Sequence, residues 1–216
     1  KGVVPSTKWK KDAIGENWYL GETLITGIGQ GYIQTTPLQL TLMTAQLANG
    51  GNKIYPTIIP NKKNIDLIKQ EMKNNEDLDF KTDHTSLVRN KENVKFVLDA
   101  MFRSTNEVYG TSYSSRIEDP KYQFAGKTGT AQVKRITEAE RELDRKLEQI
   151  PYKERDHAWY VAFGPYKDPR YALTVLVEHG GSGSSAAAPM AKKLFKKIID
   201  RHEEREKLRE YNTTIL

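Results

Sequence analysis

The chain has 216 residues, of which 37% are hydrophobic and 29% charged, a composition typical of a folded globular protein. Its net charge of +6 comes from 34 basic and 28 acidic residues interleaved along the chain, so the sequence predicts no nucleic-acid partner. The absence of cysteine excludes disulfides and cysteine-based metal sites, and no two histidines have metal-ligand spacing, so neither a metal nor another cofactor is expected.

A helix is predicted after the glycine-rich run at residues 27–31, which needs backbone freedom. Thr36 is a favourable cap, Pro37 suits the first helical position, and the uncharged segment from Leu38 to Ala48 ends at a run of Asn and two glycines. Because this helix is apolar on nearly every side, we expect it to lie inside the protein.

The middle of the chain contains one further clear helix. Residues 61–90 are polar and weakly periodic, which indicates a surface excursion. Residues 92–103 are predicted to be helical, because apolar residues recur there at i, i+3, i+4, i+7 and i+8. These are Val94, Val97, Leu98, Met101 and Phe102. The charged segment 137–149 fits an exposed helix and a structured loop equally well.

In two segments near the C-terminus, 157–163 and 171–178, apolar residues recur at every second position, as is typical of strands. Gly164-Pro165 and Lys167-Asp168-Pro169 lie between them and favour a turn, so the pair is predicted to form a hairpin. The residues expected to share a face are Trp159, Val161 and Phe163 in the first segment, and Tyr171, Leu173, Val175 and Val177 in the second.

A last helix is predicted at residues 186–199, beginning at Ser184 or Ser185, with lysines on its outer face. Its expected inner face consists of Ala187, Met190, Ala191, Leu194 and Ile198. The strands therefore form a block between helices, without the alternation of strand and helix that a parallel sheet needs. This order favours an α+β fold with an antiparallel sheet.

The stretch "QFAGKTGTAQV" at residues 123–133 has two chemical interpretations. The first is a phosphate-binding loop, which requires a glycine five residues before Gly126 and a buried apolar strand ahead of it. Position 121 is a lysine, and the preceding residues are polar. Nor does the run at residues 27–31 complete a dinucleotide-binding pattern, since Tyr32 stands where glycine is needed. Nucleotide binding is therefore disfavoured.

The second interpretation is a Lys-Thr-Gly strand beside a serine acyl-transfer site. On an extended chain Thr128 and Thr130 point to the same side, so both hydroxyls can face a substrate carboxylate, and Lys127 adds a positive charge beside it. The amide of Thr130 is placed to help hold a developing oxyanion. Gly126 and Gly129 remove side chains where a ligand backbone must come close.

Four blocks in the same order resemble the transpeptidase domain of class B penicillin-binding proteins, within them the elongation-specific penicillin-binding protein 2 group. The blocks are "GIGQGYIQTTPLQLTLMTAQLANGG", "AGKTGTAQV", "RDHAWYVAFGPYKDPRYALTVLVEHGG" and "GSSAAAP". The resemblance implies a partial penicillin-binding protein transpeptidase (β-lactamase-like) fold, an antiparallel sheet flanked by helices on both faces. It implies cross-linking of peptidoglycan through a serine acyl-enzyme. Lys127, Thr128 and Gly129 would be catalytic, and Thr128 and Thr130 would contact substrate or antibiotic.

The chain departs from that family in lacking Ser-x-x-Lys, so it contains no nucleophile. Ser104-Thr105-Asn106 matches Ser-x-Asn formally, but it follows the glycine-rich block instead of preceding it, and we interpret it as the end of a helix. Residues 1–216 are thus predicted to be the C-terminal part of a single transpeptidase domain. The chain alone should be inactive, and the missing N-terminal part would carry the serine and a membrane anchor.

The resemblance also implies partners and a location. The ligands would be the D-Ala-D-Ala end of a stem peptide and β-lactams, and the full-length protein would meet a membrane glycosyltransferase and elongation-complex proteins. The location would be the periplasmic face of the bacterial inner membrane. An alternative is a β-lactam-binding sensor or inactive homologue of the same fold. The sequence of the missing upstream segment would distinguish this alternative from an active enzyme.

Polar residues around the predicted strands are not assigned catalytic roles. For His157 we expect a structural or loop-ordering role, with Asp156 holding Arg155 or His157 by a hydrogen bond. His179 could line the cleft or simply be solvated at a strand end. The three tryptophans, Trp9, Trp18 and Trp159, are expected to be packing anchors.

Overall fold

The computed structural model describes residues 2–56, 86–134, 143 and 145–214, with side chains described as far as residue 208. Four helices precede the strands in the chain and a fifth follows them: α1 (Thr7–Ile14), α2 (Leu20–Gly27), α3 (Pro37–Ala48), α4 (Lys91–Asn106) and α5 (Ala188–Thr214). The strands are β1 (Ala125–Ala131), β2 (His157–Gly164) and β3 (Tyr171–Val177). Short 3-10 turns occupy Tyr113–Ser115, Leu147–Gln149 and Tyr152–Glu154, and a π-helical turn, Gly183–Ala187, leads into α5.

The three strands form one antiparallel sheet in the order β1-β2-β3. Lys127 pairs with Val161, and Val161 pairs with Thr174, so β2 lies in the centre. The predicted hairpin of β2 and β3 is confirmed. Within the described residues β1 has a strand on one side only, which leaves its other edge without a strand partner.

Both faces of β2 are covered by helices. Ala158, Tyr160 and Ala162 are fully buried on one face, in a cluster with Phe124 and Phe195 whose rings stack 5.0 Å apart. On the other face, Phe163 and Ala125 pack with Met101 of α4, and Thr41 of α3 donates a hydrogen bond of 2.9 Å to Thr174. Burying one large apolar side chain contributes about 1.5–3 kcal/mol, so these two layers hold the sheet in place. The expected sheet with helices on both faces is confirmed.

The helix ends follow from side-chain caps. The hydroxyl of Thr36 accepts from the Gln39 amide at 3.2 Å, and the Gln39 side chain accepts from the Thr36 amide at 2.9 Å, a reciprocal cap that starts α3 at Pro37 as predicted. Asn90 accepts from the Glu92 amide and starts α4. The last turn of α4 consists of residues 104–106, which confirms that the formal Ser-x-Asn match is a helix end.

The expectation that α3 lies inside the protein is wrong for the described chain. Leu38 is 62% exposed and Met43 46% exposed, whereas Thr44 is the buried residue of the helix. The reason is that α3 packs against the sheet on the side that carries Thr41, and its opposite side is uncovered. Uniform apolarity therefore did not indicate which side is buried.

The start and the inner face of the last helix also differ from prediction. The helical segment begins at Gly183 after Ser182, so Ser184 and Ser185 lie within its π-helical turn and do not cap it. Ala187 and Ala191 are buried as predicted, but Met190 is 49% exposed and Leu194 44% exposed. The residues that complete the buried face are Ala188, Phe195 and Ile199. The stacking of Phe195 on Phe124 sets this rotation of α5.

One lysine near the start of the chain is buried. Lys10 of α1 is 1% exposed, and its ammonium lies 2.5 Å from the carboxylate of Glu22 and 3.4 Å from that of Glu16. The ring of Tyr19 packs 4.5 Å from the same ammonium. Lys10 thereby joins α1 to α2, because a buried cation needs such partners.

The predicted surface excursion at 61–90 and the charged segment 137–149 fall largely outside the described residues; Leu147–Gln149 forms a 3-10 turn. Among the helices that are described, we find none with the length and apolar character to cross a bilayer.

Candidate active-site edge

All four residues of the Lys-Thr-Gly-Thr sequence lie in β1, and they are exposed or half-buried. The strand runs on through Thr130 to Ala131, so Lys127 does not lie in a loop that caps a helix N-terminus. A phosphate-binding loop needs that geometry. The structure therefore agrees with the rejection of nucleotide binding.

The pairing register places the side chains of β1 on two faces. Thr128 is opposite Tyr160 and Thr130 is opposite Ala158, so the two threonines share a face, as predicted. Lys127 belongs to the other face, but its ammonium donates a hydrogen bond of 2.9 Å to the carbonyl oxygen of Thr128. The lysine thus bends toward the strand edge, where its charge lies beside the backbone of Thr128.

Alternate carbonyl groups of β1 point away from β2. The carbonyl of Thr128 accepts from Lys127, and that of Thr130 accepts from the side-chain amide of Gln30 at 3.1 Å. The N–H and C=O of one strand residue point to the same side, while successive residues alternate. The amide of Thr130 is therefore directed toward the unpaired edge, which is the direction an oxyanion donor at this position requires.

A row of hydroxyl groups connects this edge to the end of α4. The Oγ1 atoms of Thr128 and Thr111 lie 3.2 Å apart, and the Oγ1 of Thr111 lies 3.3 Å from the Oγ of Ser104. Thr128 is thus already oriented by a neighbour, whereas Thr130 is exposed at the end of the strand. Beside this row, the side-chain amide of Asn106 donates to the carbonyl of Phe124 at 3.0 Å and fixes the start of β1.

A second, buried set of hydroxyl groups lies behind the edge. Tyr160 is fully buried, and its hydroxyl lies 2.9 Å from the Oγ1 of Thr105 and 3.0 Å from the Oγ of Ser112. Burial raises the pKa of the Tyr160 phenol, although its hydrogen bonds with Ser112 and Thr105 act in the opposite direction. The phenol therefore stays neutral and acts as a fixed support. Sequence reasoning missed this set, because Tyr160 is more than 40 positions from either partner.

The structure gives different reasons for glycine at the two glycine positions of the motif. Gly126 is buried, and a Cβ atom there would lie 2.4 Å from the hydroxyl oxygen of Tyr160 and 2.5 Å from its Cζ. Packing of Tyr160 across the strand therefore requires this glycine, which corrects the interpretation that it makes room for a ligand. At Gly129 a Cβ would meet only the Cβ of Trp159, at 3.3 Å. Ligand approach stays a prediction for Gly129 alone.

Gln30 is a residue of this edge that sequence reasoning missed. It lies in the glycine-rich run after α2, between Gly29 at φ +77° and Gly31 at φ +75°. These left-handed conformations confirm the predicted need for backbone freedom. The run was visible as a motif, but the contact between Gln30 and a strand 100 residues away was not.

The polar cluster at the start of β2 has contacts that order the chain. His157 Nδ1 accepts from the amide of His179 at 2.9 Å, and the two rings lie 4.6 Å apart. His179, at φ +55°, packs on Tyr152 and contacts the carbonyl of Arg155 through Nδ1 at 2.9 Å. These contacts agree with the loop-ordering role expected for His157. They place His179 in a packed cluster and not simply in solvent at a strand end.

The prediction for the Asp156 carboxylate is wrong. Instead of holding Arg155 or His157, it accepts from the amide of Val133 at 3.1 Å, two residues beyond the end of β1. Arg155 donates to the carbonyl of Ile150 at 2.9 Å. Asp156 thus links the residues that follow β1 to those that precede β2.

Trp9 packs as predicted, with its ring 5.5 Å from that of Tyr32, and Trp18 donates a hydrogen bond of 2.8 Å to Thr23. The indole N–H of Trp159 is buried with no hydrogen-bond partner among the described residues. In that same part of the chain there is no cluster of residues suited to a metal ion. A groove of about 1050 Å³ runs along α5 beside Ile117 and Pro189, and none of its lining residues belongs to β1.

Comparison with known proteins gives a consistent result. A family profile described as "Penicillin binding protein transpeptidase domain" matches residues 5–200. Peptidoglycan D,D-transpeptidase MrdA of Salmonella typhimurium is 33% identical over 202 residues, which are 92% of this chain and 30% of that protein. The protein of the same name from Haemophilus influenzae is 34% identical over 192 residues, 89% of this chain and 28% of that protein. The chain spans less than a third of the length of these relatives.

Solved structures agree with the fold. The complex between penicillin-binding protein (PBP2) and MreC from Helicobacter pylori matches with a TM-score of 0.71 and 31% identity, over 92% of this chain and 31% of that chain. The structure of Pseudomonas aeruginosa PBP2 in complex with WCK 5153 matches with a TM-score of 0.64 and 33% identity, over 91% of this chain and 38% of that chain.

Proposed function

The chain belongs to the penicillin-binding protein transpeptidase domain family, and we propose that its β1 edge forms one wall of a peptidoglycan D,D-transpeptidase active site. The attacking serine lies outside this chain, which is the C-terminal part, residues 1–216, of a single domain. One observation carries the proposal. The amide of Thr130 faces an unpaired strand edge beside the ammonium of Lys127.

The proposed reaction is a two-step acyl transfer. The serine oxygen attacks the carbonyl carbon of the penultimate D-alanine, the peptide bond to the terminal D-alanine breaks, and D-alanine leaves with a proton. An amine of a second stem peptide then attacks the ester, forms the new amide bond and releases the serine. β-Lactams imitate the first step, because the serine opens their ring and stays acylated.

Each residue of the edge has a distinct proposed role. The amide of Thr130 donates to the oxyanion of the tetrahedral intermediate, and such a donor is worth about 10²–10³ in rate. Lys127 supplies a positive charge that attracts the substrate carboxylate and stabilises negative charge in the cleft. The hydroxyls of Thr128 and Thr130 bind the carboxylate of substrate or antibiotic. Gly129 lets the ligand backbone approach the strand, because it presents no side chain.

The names of the similar proteins support an enzyme over a binding sensor, since the relatives are named as D,D-transpeptidases. The wider setting is proposed on the same basis: the full-length protein acts outside the cytoplasm, at the periplasmic face of the inner membrane. There it meets a glycosyltransferase and elongation-complex proteins. MreC, which is in complex with the similar PBP2 of Helicobacter pylori, is an example of such a protein.

The test uses a complete transpeptidase domain that contains this chain. The domain is incubated with a fluorescent penicillin and, separately, with a pentapeptide that ends in D-Ala-D-Ala. We expect covalent labelling and release of D-alanine, both lost when the chain is tested without its upstream part. A complete, folded domain that neither reacts with penicillin nor releases D-alanine would contradict the proposal.

A further inference from the structure

Gln30 lies at the same unpaired edge as Thr130, and its backbone position is fixed by the turn that holds it. Its amide donates to the carbonyl of Ile25 in the last turns of α2, at 3.0 Å. Gly31 follows at φ +75°, and a Cβ atom there would come within 3.1 Å of the Ile25 side chain. The glycine-rich turn is therefore tightly folded back onto α2, and it directs one glutamine toward the sheet.

The Gln30 side chain reaches the weakest part of β1. Its Nε2 atom donates to the carbonyl oxygen of Thr130 at 3.1 Å. Thr130 is the penultimate residue of the strand, and the ladder with β2 ends one residue later at the pair of Ala131 and His157. Strand ends open more readily than strand centres, because fewer hydrogen bonds hold them. This hydrogen bond links residues 2–56 to β1.

We propose that Gln30 is a positioning residue that orders the backbone of Thr130 for the acyl-transfer step. The inference rests on the function proposed above. The carbonyl that Gln30 holds and the amide that would bind the oxyanion belong to the same residue and point to the same edge. Fixing the carbonyl limits rotation about the Thr130 backbone bonds, so the amide keeps its direction before the substrate arrives. Such preorganisation makes an oxyanion donor effective.

This role predicts a particular kinetic signature. A residue that orders an oxyanion donor acts on the transition state more than on the bound ground state, so its loss lowers the acylation rate constant with little change in apparent affinity. The effect must be smaller than removal of the donor itself, which costs about 10²–10³, because the amide is still present; we expect about 10-fold.

The experiment compares Gln30→Glu with Gln34→Glu in the complete domain. The first change keeps the size of the side chain but replaces the donating N–H₂ by a carboxylate, which repels the Thr130 carbonyl. Gln34 lies four positions away and is exposed, and its side chain has no hydrogen bond among the described residues, so the same substitution there is a matched control. The readouts are the rate constant and half-saturation concentration for penicillin acylation, and hydrogen exchange of the β1 amides.

We expect Gln30→Glu to lower the acylation rate constant about 10-fold and to speed exchange at the end of β1, while Gln34→Glu does neither. Acylation of Gln30→Glu at the control rate, or a change confined to apparent affinity, would overturn the inference. So would unchanged exchange at Ala131, whose amide faces β2. If the unsubstituted domain is not acylated at all, the proposed function fails, and hydrogen exchange still decides separately whether Gln30 orders the edge.

Discussion

Replacing Gly126 by alanine should destabilise the domain more than the same replacement at Gly129. The new Cβ would lie 2.4 Å from the hydroxyl oxygen of Tyr160 and 2.5 Å from its Cζ, where about 3.5–4.0 Å is the usual separation. Tyr160 is fully buried, so its ring can yield only by displacing neighbours. Overpacking of this kind costs about 1–3 kcal/mol of unfolding free energy.

The displacement also breaks hydrogen bonds. A shift of about 1 Å stretches the bonds of 2.9 and 3.0 Å from the Tyr160 hydroxyl to Thr105 and Ser112 beyond hydrogen-bonding range. A buried hydroxyl without a partner costs about 1–3 kcal/mol more. The two effects together give about 2–6 kcal/mol, a large part of the stability of a typical domain.

The assay is urea unfolding of the complete domain, with Gly129→Ala as the matched control. At Gly129 the added methyl group meets one atom at 3.3 Å, so the expected loss is below about 1 kcal/mol. A Gly126→Ala, Tyr160→Phe double variant should be more stable than the sum of its parts predicts, because both single changes break the same hydrogen bonds of the Tyr160 hydroxyl. Equal stabilities of Gly126→Ala and Gly129→Ala would show that the packing of Tyr160 does not require glycine at position 126.

Three further predictions use the same domain. Lys127→Ala should lower the rate of penicillin acylation by about 10²-fold and leave the fold intact, whereas Lys193→Ala, at an exposed control position, should leave the rate unchanged. Equal acylation rates of the two variants would contradict the proposed role of Lys127. Thr105→Val should cost about 1–2 kcal/mol in urea unfolding, because a buried hydroxyl loses one partner, and unchanged stability would contradict this. The ammonium of Lys10 lowers the pKa of Glu22, so this pair stabilises the fold above about pH 4.3 and loses its effect as the pH falls further. The difference in unfolding free energy between wild type and Glu22→Gln should therefore shrink as the pH falls from 7 to 3. A difference that does not change with pH would show that the ion pair of Lys10 and Glu22 does not stabilise the fold.

The sheet and its motif strand could be predicted because their evidence is local. Alternation and turn residues predicted the hairpin of β2 and β3, and periodicity predicted α4. The parity of Thr128 and Thr130 follows from any extended backbone, and the register with β2 bears it out. The four sequence blocks also identified the family correctly before any packing was known.

What the sequence could not provide depends on contacts between distant residues. Nothing near Gly126 shows that Tyr160 will lie across it, and nothing near Gln30 indicates Thr130. The rotation of α5 was misjudged for a similar reason. Apolar residues occur on more than one side of that helix, and the stack of Phe195 on Phe124 decides which side is buried.

Locating the residue that penicillin acylates would show whether this chain supplies only a wall of the active site. The complete protein is labelled, digested and analysed by peptide mass spectrometry. We expect the label on a serine of a Ser-x-x-Lys sequence upstream of this chain, and we expect Lys127→Ala to reduce the labelling greatly. A label on a serine within residues 1–216, or undiminished labelling of Lys127→Ala, would contradict the claim that this chain supplies only the wall of the site.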